Sequence, residues 1–208
     1  MCVISKKDNN LYIYELTNKK DINTWKLVHT LNQHMLYICS VDWHLQTNRI
    51  ISSSHDKNIF VWNYHSDTNT WKPEIVIFET KVSVLSVKWN KKGDKFVAST
   101  GCKIVGTGYY EVNNKWWTCK KMKEHYSAVT CSKIDDSGLF IISGSTDNRI
   151  YISSAFVKET DKEISGDLPY EVAEHGELLM TVKADAWVND VCWSKSGHYC
   201  FAATHDSI

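Results

Sequence analysis

The 208 residues carry 24 Lys+Arg against 24 Asp+Glu, with 43% hydrophobic and 12% aromatic side chains, a composition that excludes a disordered tail and fits a folded, near-neutral chain. Balanced charge without a sustained basic block excludes the electrostatic footprint of a dedicated nucleic-acid binder, and no apolar run reaches the ~18 residues of a membrane-spanning helix. The opening MCVISKKDNN meets its first lysine at Lys6, too early for the apolar core of a secretory signal.

In chain order, a short apolar strand is expected from Cys2 to Ser5, followed by a turn at Asp8. Residues 38–62 (ICSVDWHLQTNRIISSSHDKNIFVW) then set a pattern that returns at 84–105 (VLSVKWNKKGDKFVASTGCKIV), 129–153 (VTCSKIDDSGLFIISGSTDNRIYIS) and 188–208 (VNDVCWSKSGHYCFAATHDSI). The overlay puts Trp43, Trp89, Ile134 and Trp193 in register at spacings of 46, 45 and 59. Thirteen residues after each comes a turn position, held by Asp56, Cys102, Asp147 and Asp206. A second series, Trp25, Trp71 and Trp117, runs at 46 and 46 and is expected to lie between one copy's last strand and the next copy's first. Each copy reads as runs of Val, Ile, Tyr, Phe and Trp punctuated by Asn, Asp, Gly and Ser, which is strand-and-turn texture with no sustained helical period. Four short antiparallel strands per ~45 residues is the signature of a β-propeller blade. The longer spacing of 59 is explained by residues 159–177 (ETDKEISGDLPYEVAEHGE), a polar segment without a strand pattern.

The seven cysteines are odd in number and form no C-x-x-C pair, so buried, reduced thiols are expected. Among nine histidines, no H-x-x-x-H or H-E-x-x-H helical spacing suggests a metal site. Asp56, Asp147 and Asp206 recur at one place in successive copies, which reads as a turn lock rather than a converging acid pair. Gly101, Gly106 and Gly108 sit in or beside KIVGTGYY, where glycine marks a bulge rather than a nucleotide cradle. Residues 115–123 (KWWTCKKMK) mix four lysines with two tryptophans and could stack bases, but Trp117 belongs to the repeating series and is assigned to packing. No enzyme activity, cofactor or metal is expected.

These residues resemble the WD-repeat family, in which a His ahead of the first strand, a Ser or Thr on the second, an Asp in the next turn and a Trp on the third form a buried hydrogen-bonded tetrad. His34, Ser52, Asp56 and Trp62 match it in full, and His125, Ser143 and Asp147 match in part, with Ser153 where the Trp would stand. The strings NTWKLVHTLNQH, WNYHSDTNTWKPEIVI, NNKWWTCKK, SSAFVKE and WVNDVCWSKSGHYCFAATHDS are similar to the WD-repeat subunits of the actin-related protein 2/3 complex, over essentially all 208 residues in order. The resemblance implies one all-β WD-repeat propeller domain over residues 1–208, incomplete at both ends. About four and a half of an expected seven blades are present, either as a fragment, the favoured reading, or as an unusually short propeller. It further implies a non-catalytic scaffold in a hetero-oligomer, with the other subunits and the actin filament as partners, in the cytoplasm at the actin cytoskeleton or in the nucleus. A generic WD-repeat adaptor in a coat, ubiquitin-ligase or nuclear segregation complex is the alternative. Long propeller insertions commonly carry contacts, so partner binding is assigned to Phe156, Lys158 and Glu159 at the start of the 159–177 loop, and to Trp116.

Overall fold

The computed structural model describes residues 1–4, 8–123, 125–161 and 173–206. It is all-β, with seventeen strands in that part of the chain. Strands β1 (Cys2–Ile4), β2 (Leu11–Leu16) and β3 (Trp25–Leu31) form a three-stranded sheet. Three four-stranded blades follow: β4 (Ile38–His44), β5 (Arg49–Ser54), β6 (Ile59–His65) and β7 (Thr70–Ile77); β8 (Val84–Trp89), β9 (Lys95–Thr100), β10 (Ile104–Glu111) and β11 (Trp116–Lys123); β12 (Val129–Ile134), β13 (Phe140–Ser145), β14 (Arg149–Ser154) and β15 (Leu178–Lys183). The hairpin of β16 (Val188–Trp193) and β17 (Cys200–Thr204) opens a fifth unit. All pairing inside a blade is antiparallel; a short parallel bridge from Trp117 and Thr118 to Val76 and Ile77 joins the outer strands of the second and third blades.

The 45-residue frame is visible in backbone detail. Trp43, Trp89, Ile134 and Trp193 all lie on the first strand of their unit. Each of those strands has the same irregularity near its start, at Ile38/Ser40, Val84/Ser86, Val129/Cys131 and Val188/Asp190. One extra residue there strengthens the local twist, as the innermost strand of a propeller requires. The turns that follow repeat as well: Gly93, Gly138 and Gly197 take φ of 70°, 77° and 73°, a left-handed conformation that costs glycine nothing.

Three expectations need correction. The Trp25, Trp71 and Trp117 series does not lie between strands: each residue belongs to the last strand of its sheet or blade, β3, β7 and β11. Pro73 within β7 hides the strand pattern, and its missing N–H is tolerable on an outer strand. Gly106 and Gly108 mark no bulge, since β10 keeps unbroken register with both neighbours. They make room instead: a Cβ on Gly108 would stand 2.0 Å from the Phe96 ring, and one on Gly106 would stand 2.6 Å from Cys119 Sγ. The cysteines are free, but only Cys119 and Cys131 are buried, and Cys192 and Cys200 are exposed.

Among the described residues the core is divided into four clusters. Apolar side chains cluster at each blade-to-blade junction: Leu11, Ile13 and Leu31 against Ile38, Ile50 and Trp62; Ile51, Ile59, Val61 and Val76 against Val84, Val87, Trp89 and Trp117; Val97, Val105 and Met122 against Val129, Ile134 and Ile141; and Cys131 and Ile142 against Val188 and Val191. Fully burying one such aliphatic side chain contributes roughly 1.5–3 kcal/mol, so stability is a sum over adjacent junctions.

Candidate functional site

The second blade carries a continuous polar chain from its rim to its centre. The Ser-rich end of β5 and the turn after it place Asp56 so that Oδ1 accepts the N–H of Asn58 at 2.9 Å and Oδ2 accepts the N–H of Met35 at 2.9 Å. Lys57, between Asp56 and Asn58, takes φ of 73°, and the local side-chain bond to Asn58 holds that turn closed. His34 then connects the turn to the strands: Nδ1 lies 2.8 Å from Asp56 Oδ2 and Nε2 lies 2.9 Å from Ser52 Oγ. Trp62 completes the chain by donating Nε1–H to Ser52 Oγ at 2.8 Å. One proton arrangement satisfies every group. Neutral His34 donates from Nδ1 to the carboxylate, Nε2 accepts from the Ser52 hydroxyl, and that oxygen accepts from the indole.

Burial lowers the pKa of His34, although Asp56 pulls it up, which favours the neutral ring. Burial raises Asp56, yet the N–H groups of Asn58 and Met35 and the His34 ring outweigh it and hold the carboxyl below its usual range. Such a site locks a turn; its only titratable groups are bonded to each other.

The fourth blade repeats most of this. His125 Nδ1 lies 3.0 Å from Asp147 Oδ2 and Nε2 lies 2.8 Å from Ser143 Oγ, while Asp147 accepts the N–H groups of Tyr126 and Arg149 at 2.8 and 3.0 Å. No indole reaches Ser143; instead Tyr151 stacks on the His125 ring at 4.4 Å, at the position where Phe60 meets His34. The third blade has no such network, because Thr80, Ala98, Cys102 and Gly108 occupy the four places. Its interior is aromatic: Trp117 lies 5.3 Å from Trp89, 5.9 Å from Phe96 and 5.5 Å from Tyr110. The space left by Gly108 holds the Phe96 ring.

Ties between blades are polar as well as apolar. Asp42 accepts the N–H of Trp89 at 2.9 Å and the ammonium of Lys88 at 3.2 Å, and His44 Nε2 lies 2.9 Å from the carbonyl of Lys91. The deepest tie went unsuspected in the sequence. Lys95 opens β9 with its side chain 1% exposed and pairs with Asp161, 7% exposed, just after the fourth blade's third strand. The ammonium also donates to the carbonyls of Gly138 at 3.0 Å and Ala155 at 3.3 Å, and Asp161 also accepts the N–H of Val157 at 2.7 Å.

The residues assigned to partner binding are near this tie. Phe156 is half-buried and Lys158 and Glu159 are exposed. Glu159 reaches Lys120 of β11 at 3.1 Å. Trp116, 46% exposed, sits at the start of the same strand and donates its indole N–H to Glu111 at 3.1 Å. Residues 162–172 of the predicted loop lie outside the described residues. At its far end His175 Nε2 is 3.0 Å from the buried Thr107 hydroxyl, and Ser154 donates to the carbonyl of Ala173 at 2.9 Å. Asp161, expected in a polar loop, is therefore a buried anchor.

The pattern of the "WD domain, G-beta repeat" family matches residues 25–63, 116–152 and 176–208. Each match runs from an outer strand into the next unit. The gap between the first two matches, residues 64–115, contains β8, β9 and β10 of the third blade, whose tetrad positions hold Thr80, Ala98, Cys102 and Gly108. Along 100% of its length the chain is 29% identical to "Actin-related protein 2/3 complex subunit 1A" of Arabidopsis thaliana. Over 98% it is 28% identical to subunit 1A-B of Xenopus laevis, and over 99% it is 27% identical to subunit 1 of Schizosaccharomyces pombe. It spans 54%, 55% and 53% of those relatives, about half of each. With three family matches laid on a blade architecture that repeats strand, bulge and turn, the chain belongs to the WD-repeat family.

Proposed function

We propose that the chain acts as a non-catalytic scaffold subunit of an actin-related protein 2/3-type complex and supports nucleation of branched actin filaments. The observation that carries this reading is that relatives named for that complex align with 98–100% of the chain. The mechanism is placement. Blades tied by buried apolar clusters and by the Lys95–Asp161 pair form a stiff body whose surface holds other subunits at fixed separations. Phe156, Lys158, Glu159 and Trp116 are the proposed contact residues, and the cytoplasmic actin cytoskeleton, with a nuclear pool, is the proposed setting.

Affinity purification of the tagged chain from its own cells, followed by mass spectrometry, tests the proposal. Recovery of two actin-related proteins with further subunits is the expected result. Recovery of coat, ubiquitin-ligase or nuclear segregation components without actin-related proteins would replace it with a generic adaptor role.

A further inference from the structure

A groove of about 710 Å³ runs between the second and third blades and is closed at one end by the start of the fourth blade's insertion. Its lining is unlike the balanced chain around it: Glu74, Asp94, Glu111 and Glu159 contribute four carboxylates, and Arg49 is the one cation among the lining residues. Three of the four have no cationic partner among the described residues. Asp94 accepts from the Asn90 amide at 2.7 Å and Glu111 from the Trp116 indole at 3.1 Å, while Glu74 lies exposed on β7. Only Glu159 is paired, with Lys120.

The second observation is aromatic. Trp117, 2% exposed, and Tyr110 line the same groove, their rings 5.5 Å apart. The floor already takes a guanidinium, since Arg49 stands 5.7 Å from the Trp117 ring while its Nε donates to Asn63 at 3.1 Å. Trp117 lines the groove, and its indole N–H has no acceptor among the described residues. A bare cation would leave that donor unmet; a peptide carbonyl would meet it.

We infer that this groove binds an extended, arginine-bearing peptide segment of a partner protein, its guanidinium groups against Glu74 and Glu111 and a backbone carbonyl on the Trp117 N–H. Carboxylates hold a guanidinium by charge-assisted hydrogen bonds, and complementary charge selects the partner and speeds its arrival. The site is built from this chain alone, so the inference does not depend on membership of any particular complex.

The test uses the whole chain and a fluorescein-labelled Gly-Arg repeat decapeptide, with a Gly-Glu decapeptide as counterpart, read by fluorescence anisotropy. Saturable binding of the first and none of the second is expected. The Glu74→Lys/Glu111→Lys variant should weaken binding by about tenfold or more, against less than about twofold for Glu15→Lys/Asp21→Lys, an equal charge change on β2 and the turn after it. Glu74→Gln, at an exposed position, keeps the test valid if the double variant does not fold, and should weaken binding by about threefold. Trp117→Phe should weaken binding at every salt concentration, as loss of a neutral hydrogen bond does. Absence of saturable binding, or an equal loss in Glu15→Lys/Asp21→Lys, overturns the inference.

Discussion

The ammonium of Lys95 and the carboxylate of Asp161 form an ion pair between adjacent blades, with side chains 1% and 7% exposed. Burial draws the Lys95 pKa down and outweighs the upward pull of Asp161, so desolvation exceeds attraction at this pair. Removing one partner strands a buried charge, whereas removing both does not.

Asp161→Leu and Lys95→Met should therefore each cost about 3–5 kcal/mol, and the double substitution Lys95→Met/Asp161→Leu should recover most of the loss. Urea unfolding of the four proteins measures the coupling. Strictly additive losses would mean that the pair contributes nothing beyond its separate side chains.

Asp56→Ala leaves the N–H groups of Asn58 and Met35 and the His34 ring without their acceptor, at an expected cost of about 1–3 kcal/mol. Trp62→Phe removes only one donor to Ser52 and should cost less through hydrogen bonding, though it also trims the junction with the first sheet. A thermal melt of Asp56→Ala matching the parent would remove the tetrad from the account of stability.

Stability should fall on the acid side. Burial lowers the pKa of His34 and His125 against the pull of Asp56 and Asp147. His175 is pushed down to about 4 by burial and by Lys120 and Lys95. Unfolded, all three titrate near 6.5, so below that pH the unfolded chain binds more protons than the folded one. Folding stability then drops by up to about 1.4 kcal/mol per pH unit for each histidine within its window. Asp56 and Asp147, whose folded pKa values are lowered, add further loss only below about pH 4. The urea midpoint should hold above about pH 7 and fall between about pH 6.5 and 4.5, less steeply in His175→Gln. A midpoint unchanged across that range would contradict the buried neutral state of these rings.

How much of this was legible depends on sequence separation. The blade frame could be read because Trp43, Trp89 and Ile134 return at 46 and 45, and because strand alternation and turn residues are local signals. The third blade's interior could not. Gly108 looks like a defect in a strand until the Phe96 ring is seen against it, and the series that ends at Trp117 reads as lying between strands because Pro73 obscures the strand pattern one blade earlier. Lys95 and Asp161 lie 66 residues apart, outside any repeat offset, and a polar loop is where an unpaired aspartate would be expected. Pairing of that kind is fixed by tertiary packing alone.

Gly108→Ala offers a sharp check on the third blade. The new Cβ would meet the Phe96 ring at 2.0 Å in an interior already filled by Trp89 and Trp117, so an overpacking cost of about 1–3 kcal/mol is expected. Phe96→Leu should relieve part of it in the double variant. A melt unchanged by Gly108→Ala would mean that β10 shifts freely, contrary to its unbroken register with β9 and β11.

The fifth unit sets the behaviour of the 208-residue chain on its own. β17 pairs with β16 along one edge, and its other edge has no strand partner among the described residues. Cys200 and Phe201 on β17 are exposed, with Phe201 at 59%, and all six residues of β15 are exposed too, including Leu178, Leu179 and Met180. An open edge flanked by apolar side chains is a template for strand addition by another chain. The purified chain should therefore self-associate with rising concentration in sedimentation velocity, and Phe201→Lys should suppress this, because a charge on an edge strand opposes pairing. A parent chain that stays monomeric across the tested range would show that this edge is protected, and Phe201→Lys would then have no association to suppress.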